Sequence, residues 1–267
     1  MGAQLAVIQM VSSAVLAENL AYAEVLITEA AAGGADLVLL PENFAFMGQH
    51  EQDKLALMEE DGEGPIQTWL ANQARRHRLW LVGGSIPISA PDGRCYATCL
   101  VFDPEGQRRG RYDKIHLFDV DLADDESYRE SRSIAPGHEP VSVQTPWGVM
   151  GLSICYDLRF PELYRRYAGA ELLVVPSAFT QQTGVAHWEC LLRARAIENQ
   201  AYLLAADQGG LHQNGRRTYG SSMIIDPWGQ VLTRIEQGPG VAMAMMDEHF
   251  LQRCRTNLPV LQNRQLS

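Results

Sequence analysis

The feature that most constrains the fold of this 267-residue chain is an order of segments that occurs twice. The sequence Gly-Ala-Asp-Leu-Val-Leu-Leu-Pro at 34–41 returns as Gly-Ala-Glu-Leu-Leu-Val-Val-Pro at 169–176. A second sequence, Val-Phe-Asp-Pro-Glu-Gly-Gln at 101–107, returns as Ile-Ile-Asp-Pro-Trp-Gly-Gln at 224–230. The order is kept although the intervening loops differ in length. This pattern predicts that the chain consists of two halves with the same order of structural elements.

Each half is expected to run strand, helix, strand, helix, strand, and then a hairpin turned at Asp-Pro-x-Gly. Apolar spacing predicts helices at 19–32, 66–78 and 188–199. A mixed sheet with helices on one face leaves its other face uncovered, so the two sheets should pack against each other. We therefore expect an α/β fold, a four-layer α-β-β-α sandwich of two mixed sheets, in a single domain of residues 1–267.

The halves differ chemically at two strand ends. After the shared proline the first half carries Glu42, and the second carries Ser177. Cys155 follows the first apolar run of the second half, whereas the matching run of the first half has no thiol. A third candidate, Lys114, follows the hairpin of the first half. Because α/β enzymes place chemistry at strand ends, these one-sided residues predict a reactive site.

A cysteine nucleophile needs a base and a group that holds an oxyanion. Glu42 can accept the proton of Cys155 if apolar surroundings raise the carboxyl pKa towards neutrality. Lys114 would favour the thiolate and stabilise the oxyanion, together with the backbone N–H of Tyr156. Taken singly, each residue has a structural explanation, since a buried cysteine is usually a small hydrophobe. The hypothesis depends on the three occurring together.

Composition excludes several other classes of function. A formal net charge of −10 opposes nucleic-acid binding. No run reaches the roughly 18 apolar residues of a membrane helix, and the N-terminal segment lacks the basic start of a secretory signal. Five scattered cysteines suggest reduced thiols in the cytoplasm. No histidine or cysteine spacing suits a metal, and no glycine-rich phosphate motif is present, so no metal or organic cofactor is expected.

Five ordered motifs carry a resemblance to a known family. They are Pro-Glu-Asn at 41–43, Tyr-Asp-Lys-Ile-His-Leu-Phe at 112–118, Tyr-Arg-Glu-Ser at 128–131, Cys-Tyr-Asp-Leu-Arg-Phe-Pro-Glu at 155–162, and His-Trp-Glu through Arg-Ala-Ile-Glu-Asn at 187–199. Together they resemble the nitrilase (carbon–nitrogen hydrolase) superfamily over nearly the whole chain. The residues around 176–196 look most like its deaminated glutathione amidase branch.

The resemblance implies a thiol-dependent amidase with Glu42, Lys114 and Cys155 as its triad and a thioester intermediate that water hydrolyses. It further implies that Glu130 is a second glutamate supporting the lysine and the water. In this family the helix after His187 tends to lie at a subunit interface, which implies a homodimer or a higher homo-oligomer. Apolar contact could come from Trp188, Leu191 and Leu192.

Several alternatives remain open at this stage. The substrate is expected to be a small amide bearing a carboxylate, such as deaminated glutathione, but an ω-amidase on α-ketoglutaramate or another amidase or carbamoylase fits as well. Basic groups able to bind a carboxylate are Arg159, His187, Arg216 and Arg217. A Cys-His-Glu glutaminase using His187 is disfavoured, because its elbow has glycine on both sides of the cysteine, where this chain has Ser153 and Asp157. A non-enzymatic scaffold would have no need of all three triad residues.

Overall fold

A computed structural model describes residues 2–122 and 127–265 of the chain. The sequence of residues 117–146 has no counterpart in the other half, which predicts a long excursion beside the reactive site. Residues 123–126 of this excursion lie outside the described part. Among the described residues, no helix is long and apolar enough to cross a membrane.

The first sheet is built on three parallel strands. These are β1 (Gln4–Gln9), β2 (Leu37–Leu39) and β3 (Trp80–Val82), connected through α1 (Leu16–Ala32) and α2 (Pro65–His77). The sheet continues antiparallel from β3 to β5, and β5 pairs with both β4 and β6. These last strands are β4 (Ile86–Ser89), β5 (Cys95–Phe102) and β6 (Arg108–Asp113).

The second sheet repeats this arrangement. Its strands are β9 (Ser142–Thr145), β10 (Gly148–Leu152), β11 (Leu172–Ser177), β12 (Tyr202–Asp207), β13 (Ser222–Ile225) and β14 (Val231–Ile235), in that order across the sheet. β10, β11 and β12 are parallel, and β13 and β14 follow antiparallel. The helices of this half are α3 (Pro161–Arg165) and α4 (Gln181–Asn199). Both hairpins turn at Asp-Pro-x-Gly, which confirms the predicted duplication.

The strands are buried on both faces, and their alternating side chains show why the layers stack. In β1, Leu5 and Val7 belong to the central core between the two sheets, whereas Ala6 and Ile8 pack towards α1 and α2. Successive residues of a strand point to opposite faces, so one strand serves both layers. The four-layer α-β-β-α sandwich of two mixed sheets is confirmed.

The excursion at 117–146 does contain an element with a structural equivalent, contrary to expectation. β9 pairs antiparallel with β10 in the way that β15 (Gly240–Met245) pairs with β1. The equivalent strand comes from the other end of the chain, so a comparison in sequence order misses it. The excursion also forms a small hairpin of β7 (Asp119–Asp121) and β8 (Ser127–Arg129).

Helix α4 begins earlier than its apolar spacing predicted, at Gln181 rather than at residue 188. The side chain of Thr180 accepts a hydrogen bond from Thr183 N and caps the helix. The apolar contact expected of Trp188 and Leu192 is wrong, because both side chains are fully buried inside the chain. Trp188 Nε1 donates to Ser221 O at 2.9 Å. These large residues anchor the helix to its own sheet. After β15, the last helix is α5 (Glu248–Asn257).

Candidate active site

The residues singled out at three chain segments meet in one buried cluster. Glu42 follows β2, Lys114 directly follows β6, and Cys155 begins a short 3-10 helix at Cys155–Arg159 after β10. Lys114 Nζ lies 2.8 Å from Glu42 Oε1. The same nitrogen lies 2.9 and 3.0 Å from the two carboxylate oxygens of Glu130. The ammonium of Lys114 therefore forms ion pairs with two carboxylates.

Glu130 also organises the chain around it. Its Oε2 accepts a hydrogen bond from Phe118 N at 2.7 Å, so one carboxylate holds both Lys114 and the start of the excursion. Only the resemblance pointed to this residue, because nothing in its local sequence distinguishes it. The structure places it 2.9 Å from Lys114 Nζ and 8% exposed.

The electrostatics of the cluster depend on how burial and ion pairing balance. Burial raises the pKa of Glu42, but the charge and hydrogen bond of Lys114 outweigh it, so the pKa is lowered. The expectation of a Glu42 pKa raised towards neutrality is therefore wrong, because the pKa is lowered. Burial lowers the pKa of Lys114, but Glu130 and Glu42 raise it well above its usual value. Both groups are charged at neutral pH.

The thiol of Cys155, unlike Glu42 and Lys114, is uncharged at neutral pH. Burial and the nearby carboxylate of Glu42 raise its pKa well above the usual value, despite the ammonium of Lys114 and the N–H of Ala178. A preformed thiolate favoured by Lys114 is thus not what the structure supports. Glu42 and Cys155 line the same cavity, and each shifts the pKa of the other. The proton resides on sulfur and an ionised carboxylate stands ready to accept it, which is an arrangement for general-base activation.

The backbone at Cys155 is in the left-handed region, with φ of +47°. That conformation is strained for a residue with a side chain and persists only when the surroundings impose it. The absence of flanking glycines argued against a glutaminase elbow, yet the turn at Cys155 is still sharp. Ser153 Oγ donates to Val174 O at 2.8 Å, so this position carries a hydrogen-bonded side chain where a glutaminase elbow would have glycine.

Asp157 holds this turn and was missed in the sequence. Its fully buried carboxylate accepts from Ile154 N at 2.9 Å and from the hydroxyl of Tyr112 at 2.7 Å. The other oxygen accepts from His116 N at 3.0 Å. Tyr112 and His116 flank Lys114 by two residues on either side, so Asp157 ties the turn of Cys155 to the segment carrying the lysine. The alternation Tyr-x-Lys-x-His was the available signal.

Cys155, Glu42 and Lys114 lie at a cavity of about 490 Å³ that includes the space at its open mouth. Aromatic and cationic side chains form much of its wall, namely Phe118, Tyr128, Tyr156, Phe179, Arg159 and Arg216. Lys54 also lines it from a 3-10 helix at Glu51–Leu57, a segment that the sequence analysis did not single out. Cationic and aromatic side chains in such a wall favour a small anionic ligand.

The candidate carboxylate-binding residues are placed differently. The Arg159 guanidinium lies in the cavity wall, 5.4 Å from the ring centroid of Phe179. His187 is on the exposed face of α4, with Nδ1 3.2 Å from Arg159 Nη1. Arg216 lines the cavity, whereas Arg217 is exposed. Among the described residues, no group of three or more His, Cys, Asp or Glu side chains could hold a metal ion.

Comparison with known proteins agrees with this geometry. The model of the carbon–nitrogen hydrolase family matches residues 4–256. A Synechocystis protein named deaminated glutathione amidase is 43% identical over 265 residues, 97% of each chain. The crystal structure of the Caenorhabditis elegans NitFhit protein superposes with a TM-score of 0.90 at 39% identity, over 99% of this chain and 65% of that longer one.

A further solved structure bears on the cysteine. A variant of an amidase from Nesterenkonia sp. AN1 matches with a TM-score of 0.80 and 27% identity, over 98% of this chain and 96% of that one. In that amidase, acrylamide has added to the active-site cysteine.

Proposed function

The chain belongs to the carbon–nitrogen hydrolase family, and from this we propose that it cleaves the amide bond of deaminated glutathione through a thioester on Cys155. It is a hydrolase of carbon–nitrogen bonds other than peptide bonds. The observation that carries the assignment of roles is the buried ion pair of Glu42 with Lys114 at 2.8 Å, in the wall of the cavity that Cys155 also lines.

In the first half of the reaction, the sulfur of Cys155 attacks the amide carbon while Glu42 takes the thiol proton. Negative charge develops on the amide oxygen, and the Lys114 ammonium and the backbone N–H of Tyr156 stabilise it. As the carbon–nitrogen bond breaks, Glu42 returns the proton to the departing amine. The acyl group remains on sulfur as a thioester.

In the second half, water attacks the thioester with Glu42 again accepting a proton. The tetrahedral adduct collapses, the carbon–sulfur bond breaks, and the proton goes back to Cys155. Glu130 supports both halves of the reaction. Its two carboxylate oxygens, 2.9 and 3.0 Å from Lys114 Nζ, keep the ammonium protonated and fix its orientation. No metal or organic cofactor enters these steps.

A histidine-dependent mechanism receives no support from the position of His187. Its side chain is on the exposed face of α4 and does not line the cavity, whereas Glu42 lines the cavity together with Cys155. We therefore propose a supporting role at most for His187, through its contact with Arg159 in the cavity wall.

The substrate is tested by a comparison of kcat/KM for three compounds. We expect deaminated glutathione to be preferred over α-ketoglutaramate and over an aliphatic nitrile of similar size. A nitrile passes through a thioimidate and needs additional proton transfers, whereas an amide needs one proton for the leaving amine. A preference for α-ketoglutaramate by more than about tenfold, or about 1.4 kcal/mol in transition-state binding, would instead identify an ω-amidase. A preferred nitrile would exclude the amidase assignment.

We also propose that the protein acts in the cytoplasm and as a homodimer. All five cysteines are free, which suits a reducing compartment. An exposed groove is lined by residues of α3, α4 and the C-terminal segment. Within it, the apolar side chains of Ile197 and Leu258 are 47% and 46% exposed. A surface that combines exposed apolar side chains with charged ones suits a protein–protein interface.

An Ile197→Glu variant tests this interface. In the dimer, the new carboxylate would be buried in the groove without a partner. The variant should therefore dissociate to monomers at micromolar concentration, as measured by light scattering. Val185→Glu is the matched control, because Val185 is 67% exposed on the same helix but is not part of the groove. A wild-type monomer, or equal dissociation by both variants, would contradict the proposed interface.

A further inference from the structure

The cavity next to Cys155 has a surplus of positive charge that its own residues do not balance. Four cations and three carboxylates line it, namely Lys54, Lys114, Arg159 and Arg216 with Glu42, Glu51 and Glu130. The chain as a whole carries a formal charge of −10. The cationic side chains of this acidic protein are therefore concentrated at the cavity, and the resulting positive potential favours an anionic ligand.

Pairing of the charges leaves Arg216 with only one long ion pair to a carboxylate among the described residues. Lys114 lies between Glu42 and Glu130. Lys54 Nζ is 3.2 Å from Glu51 Oε2. Arg216 Nη1 is 4.0 Å from Glu51 Oε1, which is too long for a hydrogen bond. The guanidinium therefore retains capacity for another anion.

Arg216 is nevertheless held firmly in place. Its Nη2 donates to Ala178 O at 2.6 Å, and its guanidinium lies over the ring of Tyr128, 5.1 Å from the centroid. The side chain is only 15% exposed. A long cationic side chain fixed by two neighbours binds a ligand with little further loss of conformational entropy.

One donor of Arg216 lacks a partner. Its Nε is buried and has no hydrogen-bond acceptor within the described part of the chain. Buried donors in folded proteins are nearly always paired, so an unpaired donor on a side chain that lines a cavity indicates a guanidinium with unused hydrogen-bonding capacity. A carboxylate is the acceptor that the planar guanidinium matches best.

The position of Arg216 links it to the reacting sulfur. Ala178, whose carbonyl accepts from Arg216, also supplies the N–H that approaches the thiol of Cys155. Burial disfavours the charge of Arg216, but Tyr128 and the carboxylates of Glu51 and Glu42 outweigh it and raise the pKa. The guanidinium is thus a permanent cation beside the site of bond cleavage.

We propose that Arg216, with Lys54 beside it, forms a subsite for a substrate carboxylate and makes the enzyme selective for anionic over neutral amides. This rests on the proposed function and extends it to the residues that determine specificity. A carboxylate remote from the scissile bond binds at Arg216 and orients the amide carbon towards Cys155. The carboxylate belongs either to the acyl group or to the departing amine, and the two sources require separate tests.

Three substrates separate these sources. Succinamate carries a carboxylate on the acyl side only, N-butyryl-cysteinylglycine carries one on the amine side only, and butyramide carries none. We expect Arg216→Met to lower kcat/KM by about 10²-fold for one of the two anionic amides, since hydrogen bonds to charged groups are the strong ones. Butyramide should change by less than about threefold, because the variant removes no contact that a neutral amide makes.

Matched variants show that the loss is specific. Arg217→Met removes a neighbouring but exposed arginine that does not line the cavity and should leave all three values unchanged. Arg216→Lys keeps the charge without the planar fork and should recover part of the selectivity. Arg159→Met tests the other arginine of the cavity wall. An equal loss for butyramide, no loss for any substrate, or selectivity lost only in Arg159→Met would each overturn the proposal.

Binding of glutarate to the same variants, measured by calorimetry, gives a readout independent of turnover. The wild type should bind glutarate, and Arg216→Met should bind it about 10²-fold more weakly. If the wild type cleaves none of the amides but glutarate still distinguishes the variants, the proposed function fails and the subsite stands. If glutarate binds all variants equally, or does not bind the wild type, the subsite is excluded.

Discussion

A Cys155→Ala variant should lose at least about 10⁴-fold in kcat for any amide substrate while keeping its fold, because removal of a covalent nucleophile removes the whole thioester route. The change deletes one sulfur atom at the wall of an open cavity, so the free energy of unfolding should change little. Cys155→Ser should also be inactive, since a hydroxyl is far harder to deprotonate than a thiol. Turnover and thermal unfolding are measured on the same preparations.

Cys190→Ala is the matched control for Cys155→Ala. Cys190 is the exposed free cysteine of α4 and does not line the cavity. Its replacement should leave kcat unchanged. Mass spectrometry of the wild type quenched during turnover should find the acyl group on the peptide that contains Cys155. Retained turnover in Cys155→Ala, or an acyl group on another residue, would end the assignment of the nucleophile.

A Glu42→Gln variant should lose at least about 10²-fold in kcat, the usual scale for removal of a general base. The substitution keeps the size of the side chain and an oxygen that can accept from Lys114, so the fold should persist. It removes the charge that accepts the thiol proton, and the thiol itself has a raised pKa. Lys114→Met should cost at least about 10²-fold as well, because the oxyanion loses its cation.

His187→Ala distinguishes the proposed base from its alternative. With His187 exposed on α4, its loss should reduce kcat by less than about tenfold, well below the effect expected of a general base. Single-turnover measurements of acyl-enzyme formation on both variants make the comparison direct. If acylation required His187 and proceeded without Glu42, the glutaminase-type mechanism would replace the one proposed here.

Much of the fold follows from the sequence because it is encoded in local and repeated patterns. Residues 34–41 and 169–176 became β2 and β11 with equivalent neighbours, and both Asp-Pro-x-Gly segments became hairpin turns. Strand periodicity and turn chemistry act over a few residues, so they are visible without a structure. The one-sided placement of Glu42 and Cys155 was visible for the same reason.

Other features depend on contacts between residues far apart in the chain. Strand β9 was missed because its equivalent, β15, joins the first sheet from the other end of the chain. The prediction that Trp188 contacts another subunit was wrong, because the packing of a helix decides which of its faces points inward. The indole nitrogen of Trp188 donates a hydrogen bond to Ser221 O inside the chain. The carboxylate of Asp157 accepts hydrogen bonds from His116 N and from the Tyr112 hydroxyl, which are 41 and 45 residues away in the chain.

The sequence by itself determined the architecture of two duplicated halves and predicted Glu42, Lys114 and Cys155 as the candidate reactive groups, which lie just after the ends of β2, β6 and β10. Tertiary structure decided how those groups are charged. Burial alone would raise the pKa of Glu42, and the ammonium of Lys114, 72 residues away in sequence and 2.8 Å away in space, is the largest influence that reverses that direction. Tertiary structure likewise decided that Arg216, rather than Arg217, faces the cavity. Residue type and periodicity are local properties of the chain, whereas burial, ion pairing and side-chain direction arise only when distant segments pack together.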